Sequence, residues 1–286
     1  MEAAAHHTEF RTNSTCLQHP HWISQHPWLW HGFSTRLGGV TSAYSTDRSA
    51  SELNLGFTPD DPPENILENR LRLAHAVSDS RNTPLVSIRQ VHSAHSVVIR
   101  PGDFPWTELP QADGILTDAT GLLLAVQTAD CVPVLVADPV NRFVAAFHAG
   151  WRGTVQRVVQ LGVARMAAQF GCVPDTLIAA IGPAIGPCCY TVGLELRSQF
   201  EHNFSYAADL FCPAATQNSD QSPALQLDLI EANRRQLLDS GLNPANIAAL
   251  GGCTACQPHR FFSHRAQKGH TGRMVSVIGI RPNPSS

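Results

Sequence analysis

The chain has 286 residues, 43% hydrophobic and 15% charged, with 23 acidic and 20 basic side chains and a net charge of -3. This is a globular composition, long enough for one large domain or two small ones. The charge balance gives no electrostatic case for nucleic acid or an anionic membrane, and no apolar run reaches the ~18 residues of a membrane span.

The N-terminal Met1-Glu-Ala-Ala-Ala-His-His-Thr-Glu9 has neither a basic region nor an apolar core, so it is no signal peptide and the expected location is cytoplasmic. In that setting the eight cysteines read as thiols or metal ligands rather than disulfides. Residues 1–31 read as an irregular N-terminal arm, with metal binding by His6-His7 as the alternative role. Gly32 to Val40 reads as a short strand entering the Gly38-Gly39 turn, and Leu53-Asn54-Leu55-Gly56 as a second strand and turn.

Asp60-Asp-Pro-Pro63 starts a helix that runs to about Val77, with Glu64 near the positive end of its dipole. Its inward face comprises Ile66, Leu67, Leu73, Ala74 and Val77. Strands then dominate, at about 85–89, 96–100, 122–127, 132–137 and 142–147. Several are apolar on both faces, which places them in a buried sheet. Residues 151–170 read as one helix with Val155, Val158, Val159 and Val163 inward, followed by a strand at 177–181. Helices are expected near 192–203 and 226–239, a polar excursion loop at 212–224, and closing strands at 247–250 and 274–278. With no internal repeat and no linker, the pattern implies an α+β fold with one domain over 32–286, a mixed sheet and helices outside it.

The chemistry concentrates where apolar strands end. Cys131 lies in Thr128-Ala-Asp-Cys-Val-Pro-Val134, and His148 follows 17 residues later in Phe147-His-Ala-Gly-Trp-Arg-Gly153. His92 ends another apolar run. Two imidazoles and one thiolate are the ligand types of a catalytic zinc site, which uses three protein ligands and keeps a fourth position open. On spacing alone, a core thiol, a helix-capping histidine and a surface histidine are the commoner outcome. The neighbours favour a site. Asp130 precedes the thiol, Ala149-Gly150 leaves room for a ligand, and Trp151-Arg152 opens a helix whose N-terminus suits an anion.

A rival set, Cys253, Cys256, His259 and His264, is spaced too tightly for a zinc finger, and its Phe261-Phe262 reads as core. The adjacent Cys188-Cys189 read as packing behind the turn at 181–187. For substrate, Arg36 at the glycine turn and Arg152, Arg265 and Arg273 suit phosphate or carboxylate. Asn54 and Gln90 are further binding candidates. There is no nucleophile elbow, Walker A or dinucleotide fingerprint.

The segments Phe33-Ser-Thr-Arg36, Leu53-Asn-Leu-Gly56, Glu68-Asn-Arg70, Gln90-Val-His92, Ala112-Asp-Gly114, Thr128 to Val134, His148 to Gly153, Ile181-Gly-Pro183, Cys188-Cys-Tyr190, Arg260 to Arg265 and Thr271-Gly-Arg273 occur in an order that resembles the laccase-domain family. That family is also called multicopper polyphenol oxidase and, later, purine nucleoside phosphorylase. The resemblance implies a layered α/β/β/α arrangement with mixed sheets and a zinc centre, or copper instead, held by His92, Cys131 and His148. It implies phosphorolysis of adenosine, inosine and methylthioadenosine, with deamination of adenosine. The partners implied are a small nucleoside and phosphate, with oligomeric state left open.

Departures fall at Thr191, where the family has Glu, at Ala184, where Cys is frequent, at Phe57-Thr58, where a His is common, and in a longer loop between Arg265 and Thr271. On this reading Cys131, His148, Asp130 and Arg36 are catalytic candidates, and Asn54, Gln90 and Arg152 bind substrate. Two rivals use the same residues: a copper oxidase acting on phenols, and a metal-free Cys-His hydrolase editing peptidoglycan precursors. A non-catalytic scaffold with structural zinc is the fourth reading.

Overall fold

A computed structural model describes residues 11–12, 15–45, 51–214, 224–250 and 252–283. His6-His7 lie outside the described residues. The N-terminal part supplies β1 (Arg11–Thr12), β2 (Cys16–Gln18), α1 (Pro20–Gln25), β3 (Leu29–Ser34), β4 (Leu37–Thr41) and α2 (Pro63–Ser78). The middle supplies β5 (Leu85–Ser87), β6 (Ser96–Ile99), β7 (Gly114–Thr117), β8 (Leu123–Thr128), β9 (Val132–Asp138) and β10 (Phe143–Ala149). Next come α3 (Trp151–Val155), α4 (Val158–Phe170), β11 (Ile178–Ile181), β12 (Thr191–Val192) and α5 (Leu194–Asn203). The chain ends with β13 (Phe211–Pro213), β14 (Leu225–Leu227), α6 (Leu229–Asp239), β15 (Ile247–Ala249) and β16 (Met274–Ile280).

Two six-stranded mixed sheets form the centre, in the orders β1-β2-β3-β16-β8-β5 and β15-β11-β9-β10-β7-β6. In the first only β5–β8 is parallel; in the second β6–β7 and β11–β15 are parallel. A small antiparallel sheet, β12-β14-β13, stands apart from them.

Strand alternation decides the layers. Along β9, Leu135 and Ala137 face the first sheet, where they meet Phe33, Val126 and Ile278. Val134 and Val136 face the other way, into a core with Val159, Val163 and Met166 of α4 and Leu237 of α6. On the far side of the first sheet, Val275 and Val277 pack with Leu73 and Val77 of α2. The order is therefore α2, sheet, sheet, then α4 and α6: the layered α/β/β/α arrangement. Each such aliphatic side chain contributes about 1.5–3 kcal/mol when fully buried.

One contact in this core bears directly on the site. A Cβ on Gly162 of α4 would sit 2.1 Å from the Phe147 ring, so only glycine lets the helix close on the strand that carries His148.

Several boundaries differ from expectation. The described part of the N-terminal arm is regular: β2 pairs with β3, and α1 buries Trp22. These pieces are too short to show a period. Leu67 is exposed, and Asn69 takes the buried place beside Ile66. The expected helix over 151–170 breaks between α3 and α4, where Arg157 takes a φ of 65°. There Gln236 Nε2 donates to the Thr154 carbonyl (2.8 Å), a tertiary bond in place of a helical one. Likewise 225–227 is a strand, and α6 starts after Asp228, whose carboxylate accepts the Glu231 N–H (2.9 Å). Of the expected excursion loop, Cys212 and Pro213 pair with β14, while 215–223 lie outside the described residues.

Candidate metal centre and active-site cleft

His92 follows β5, Cys131 sits immediately before β9, and His148 is the next-to-last residue of β10. The fold brings these strand ends together, and one ligand atom from each residue lies within 4.8 Å of the others. The two imidazoles meet edge to face with centroids 4.9 Å apart.

Asp113, entirely buried at the start of β7, organises the pair. Its Oδ1 accepts from His148 Nδ1 (2.8 Å) and from the His92 N–H (3.1 Å). Its Oδ2 accepts from the Ser93 N–H (2.6 Å), the Ser93 hydroxyl (2.8 Å) and the Val91 N–H (3.3 Å). Its carbonyl accepts the His148 N–H (2.7 Å). One carboxylate thus holds the backbone of His92 in a left-handed conformation (φ 59°) and fixes Nδ1 of His148 as a donor. That leaves Nε2 of His148 as the nitrogen available to a metal, as in carboxylate–histidine–metal arrangements.

The charges of the three groups depend on one another. Burial pushes the Cys131 thiol up, but the His148 charge and hydrogen bonds from both histidines outweigh it and hold the sulfur well below its ordinary range. Burial favours neutral His148, but the Cys131 sulfur and Asp113 raise it instead. Burial alone would raise Asp113, yet bonds from His148 and Ser93 keep it ionised. A thiolate between two imidazoles is a donor set that zinc or another borderline cation fits. The space behind it is reserved: a Cβ on Gly150 would lie 2.8 Å from His92 Cδ2 and 3.1 Å from Cys131 Sγ.

The three residues line a cleft of about 710 Å³, which also presents Arg89, Gln90, Gln127, Tyr190, His264, Arg265 and Arg273. That volume suits a small-molecule ligand. Residues 30–281 match the family model described as multi-copper polyphenol oxidoreductase laccase.

The chain belongs to this family. It is 35% identical over 259 residues to the purine nucleoside phosphorylase YlmD of Bacillus subtilis, covering 87% of this chain and 88% of that one. It is 34% identical over 259 residues to the adenosine deaminase RL5 of an unknown prokaryotic organism, covering 86% and 96%. The crystal structure of the Bacillus licheniformis hypothetical protein YfiH superposes with a TM-score of 0.82 at 31% identity, covering 95% and 99%. YlmD of Geobacillus stearothermophilus gives 0.80 at 32%, covering 96% and 99%. This laccase-family protein is accordingly an enzyme, and no helix among its described residues is long and apolar enough to cross a membrane.

The other expected site residues divide. Gln90 lines the cleft, but its amide is spent on Gln127, donating to the carbonyl (2.8 Å) and accepting the N–H (2.7 Å). Asp130 also lines it, at φ 92°, with one oxygen accepting from Thr254 Oγ1 (2.6 Å) and the other from the Arg265 N–H (2.7 Å). Those bonds make Asp130 a brace between Cys131 and the segment that carries Arg265.

Arg36, Asn54 and Arg152 are not among the cleft-lining residues. Buried Arg36 pairs with Glu52 and the Pro258 carbonyl, beneath the Phe262 ring. Asn54, also buried, bonds Asp61 (2.7 Å), Gly56 and the Arg273 N–H (2.9 Å). It positions Arg273 from behind. Arg152 stacks on Trp151 and is exposed, close enough to act electrostatically on Tyr190.

Sequence reasoning missed the role of Asp113, although Ala112-Asp-Gly114 was visible as a motif. It also missed Tyr190, whose phenol burial and the negative charges of Cys131 and Asp130 push up to about 12, against Arg265 and Arg152. Tyr190 therefore enters the cleft as a hydrogen-bond donor.

Proposed function

We propose that this protein is a zinc-dependent purine nucleoside enzyme. It cleaves adenosine, inosine and methylthioadenosine with phosphate to the free base and (methylthio)ribose 1-phosphate, and it deaminates adenosine. The observation that carries this reading is a His92/Cys131/His148 donor set at the head of a cleft whose other charged groups include Arg89, Arg265 and Arg273. Relatives across the full length named purine nucleoside phosphorylase and adenosine deaminase support it.

His92, Cys131 and His148 would hold the metal, which would supply Lewis acidity in the cleft they line. Three guanidinium groups suit a phosphate dianion, and fixed forks such as Arg265 bind it with little loss of freedom. Arg265 is preset: its guanidinium donates to the Thr191 carbonyl (3.0 Å) and lies 5.2 Å from the Tyr190 ring centre. Arg273 is tied to the carbonyls of Thr271 (2.9 Å) and Gly272 (3.0 Å). Protonated Tyr190 donates to a substrate oxygen or ring nitrogen. Exposed His264 is the cleft group free to take or return a proton during base departure.

The test is to incubate metal-analysed protein with adenosine and phosphate and identify products by mass. Adenine with ribose phosphate means phosphorolysis, and inosine means deamination. Neither product leaves a second reading ahead, a Cys-His hydrolase editing peptidoglycan precursors. One geometric fact favours it: Cys131, His148 and Asp113 form a continuous thiol–imidazole–carboxylate chain. Activity that survives complete chelation would select that second reading.

A further inference from the structure

Outside the cleft-head donor set, one other group of donors among the described residues converges: the sulfurs of Cys188, Cys189, Cys253 and Cys256, all within 4.8 Å of one another. Neither His259 nor His264 joins them, so the rival set suggested by the sequence is replaced by one drawn from two turns. Cys188 and Cys189 do not pack behind their turn. Cys188 is exposed, and Cys189 is half-buried.

We propose that these four cysteines form a structural zinc site that pins one wall of the cleft. It goes beyond the nucleoside reading and does not depend on it. The spacing fits. Cys188 and Cys189 Sγ lie 3.5 and 3.3 Å from Cys256 Sγ, well beyond a bonded disulfide. Four sulfurs about 2.3 Å from a tetrahedral zinc stand about 3.8 Å apart. Cys253-Thr-Ala-Cys256 has the two-residue spacing common in zinc sites. The partner turn curls because the Cys189 and Tyr190 N–H groups both donate to the Gly186 carbonyl (3.0 Å each), which presents adjacent cysteines to one centre.

The backbone is arranged for thiolate. The Gly186 N–H donates to Cys253 Sγ (3.2 Å). Gly186 approaches the cluster closely: a Cβ there would lie 3.3 Å from Cys253 Cβ and 3.4 Å from Cys188 Sγ. Four like-charged sulfurs this close require a cation between them or protons on most of them, and a soft divalent ion is the occupant that all-thiolate donors select.

What the ion would hold is visible in the surrounding contacts. Ala184 bridges Cys253, and the Thr254 N–H donates to the Ala184 carbonyl (3.0 Å). Thr254 then bonds Asp130 beside Cys131, while Tyr190 follows Cys189 directly. The four-sulfur clip thus joins the segment carrying Tyr190 to the one leading to His264 and Arg265. With four protein ligands it has no open position, which marks it as structural.

The experiment uses zinc alone and protein whose cleft set is removed, His92→Ala/Cys131→Ala, so its outcome is independent of the nucleoside reading. Elemental analysis after dialysis against micromolar zinc is expected to show about one zinc per chain. Adding Cys256→Ala is expected to abolish it with the circular dichroism unchanged. Should that variant not fold, mercurial titration of the parent decides: zinc release in step with about four thiols supports the site. A parent that holds no zinc, or whose four cysteines resist alkylation in pairs as disulfides until reduced, overturns the proposal.

Discussion

The two donor clusters differ in how they are built. His148 lies near the end of β10, Cys131 just before β9 and His92 in the segment after β5, and one buried carboxylate holds the two histidines. Cys188, Cys189, Cys253 and Cys256 come from two surface turns, held by backbone N–H groups. The first is mixed in donor type, three-coordinate and open to a cleft. The second is all sulfur and complete. Three protein ligands leave a place for chemistry, whereas four leave none.

The largest effect should come from the first cluster. Cys131→Ala removes the only sulfur of that set and is expected to abolish metal binding there and lower turnover at least ~1000-fold. Metal analysis and product assay on one sample check it, and turnover persisting without the metal would break the contrast. Asp113→Asn keeps the shape but removes the charge that orients both histidines. An expected loss of ~10- to 100-fold in metal affinity or activity follows, read by zinc titration. Gly150→Ala puts a methyl against His92 and Cys131 while leaving the sheets intact. It should weaken metal binding ~10-fold with little change in melting temperature. Unaltered affinity would show that the cradle gives way.

The smallest effect lies away from both clusters. His31 is buried, and its Nε2 accepts the His19 N–H (2.8 Å). Burial lowers it from 6.5 to about 3, with the charges of His19 and His26 adding to that and two backbone bonds opposing. As pH falls from 6.5 towards 3, the unfolded chain takes up a proton that the folded chain refuses. Stability is therefore complete above 6.5 and declines below it. Melting temperature should fall progressively between pH 6.5 and 4, and His31→Gln should flatten that slope. An unchanged slope would assign the acid sensitivity elsewhere.

How much of this could be read from sequence follows from where each signal lies. β9 and β10 were legible because both faces are buried and most of their residues are apolar. Cys131 and His148 stood out because each interrupts such a run at its end. The helix break at Arg157 was not legible, since a hydrogen bond from Gln236, distant in sequence, replaces a helical one. Arg36 looked like a phosphate ligand because its neighbours are glycines; Glu52, sixteen residues on, takes its charge instead. Asp113 and Cys188 each sat in a visible motif, but their roles were not legible, because their partners are set by strand order and turn geometry.

Whether the metal set of the cleft runs the reaction is tested most directly by titrating zinc into metal-stripped protein while following phosphate-dependent release of adenine from adenosine. Release is expected to rise in step with occupancy of His92, Cys131 and His148, to saturate with it, and to stay flat in Cys131→Ala. Full turnover by the stripped protein, or in Cys131→Ala, would contradict that role.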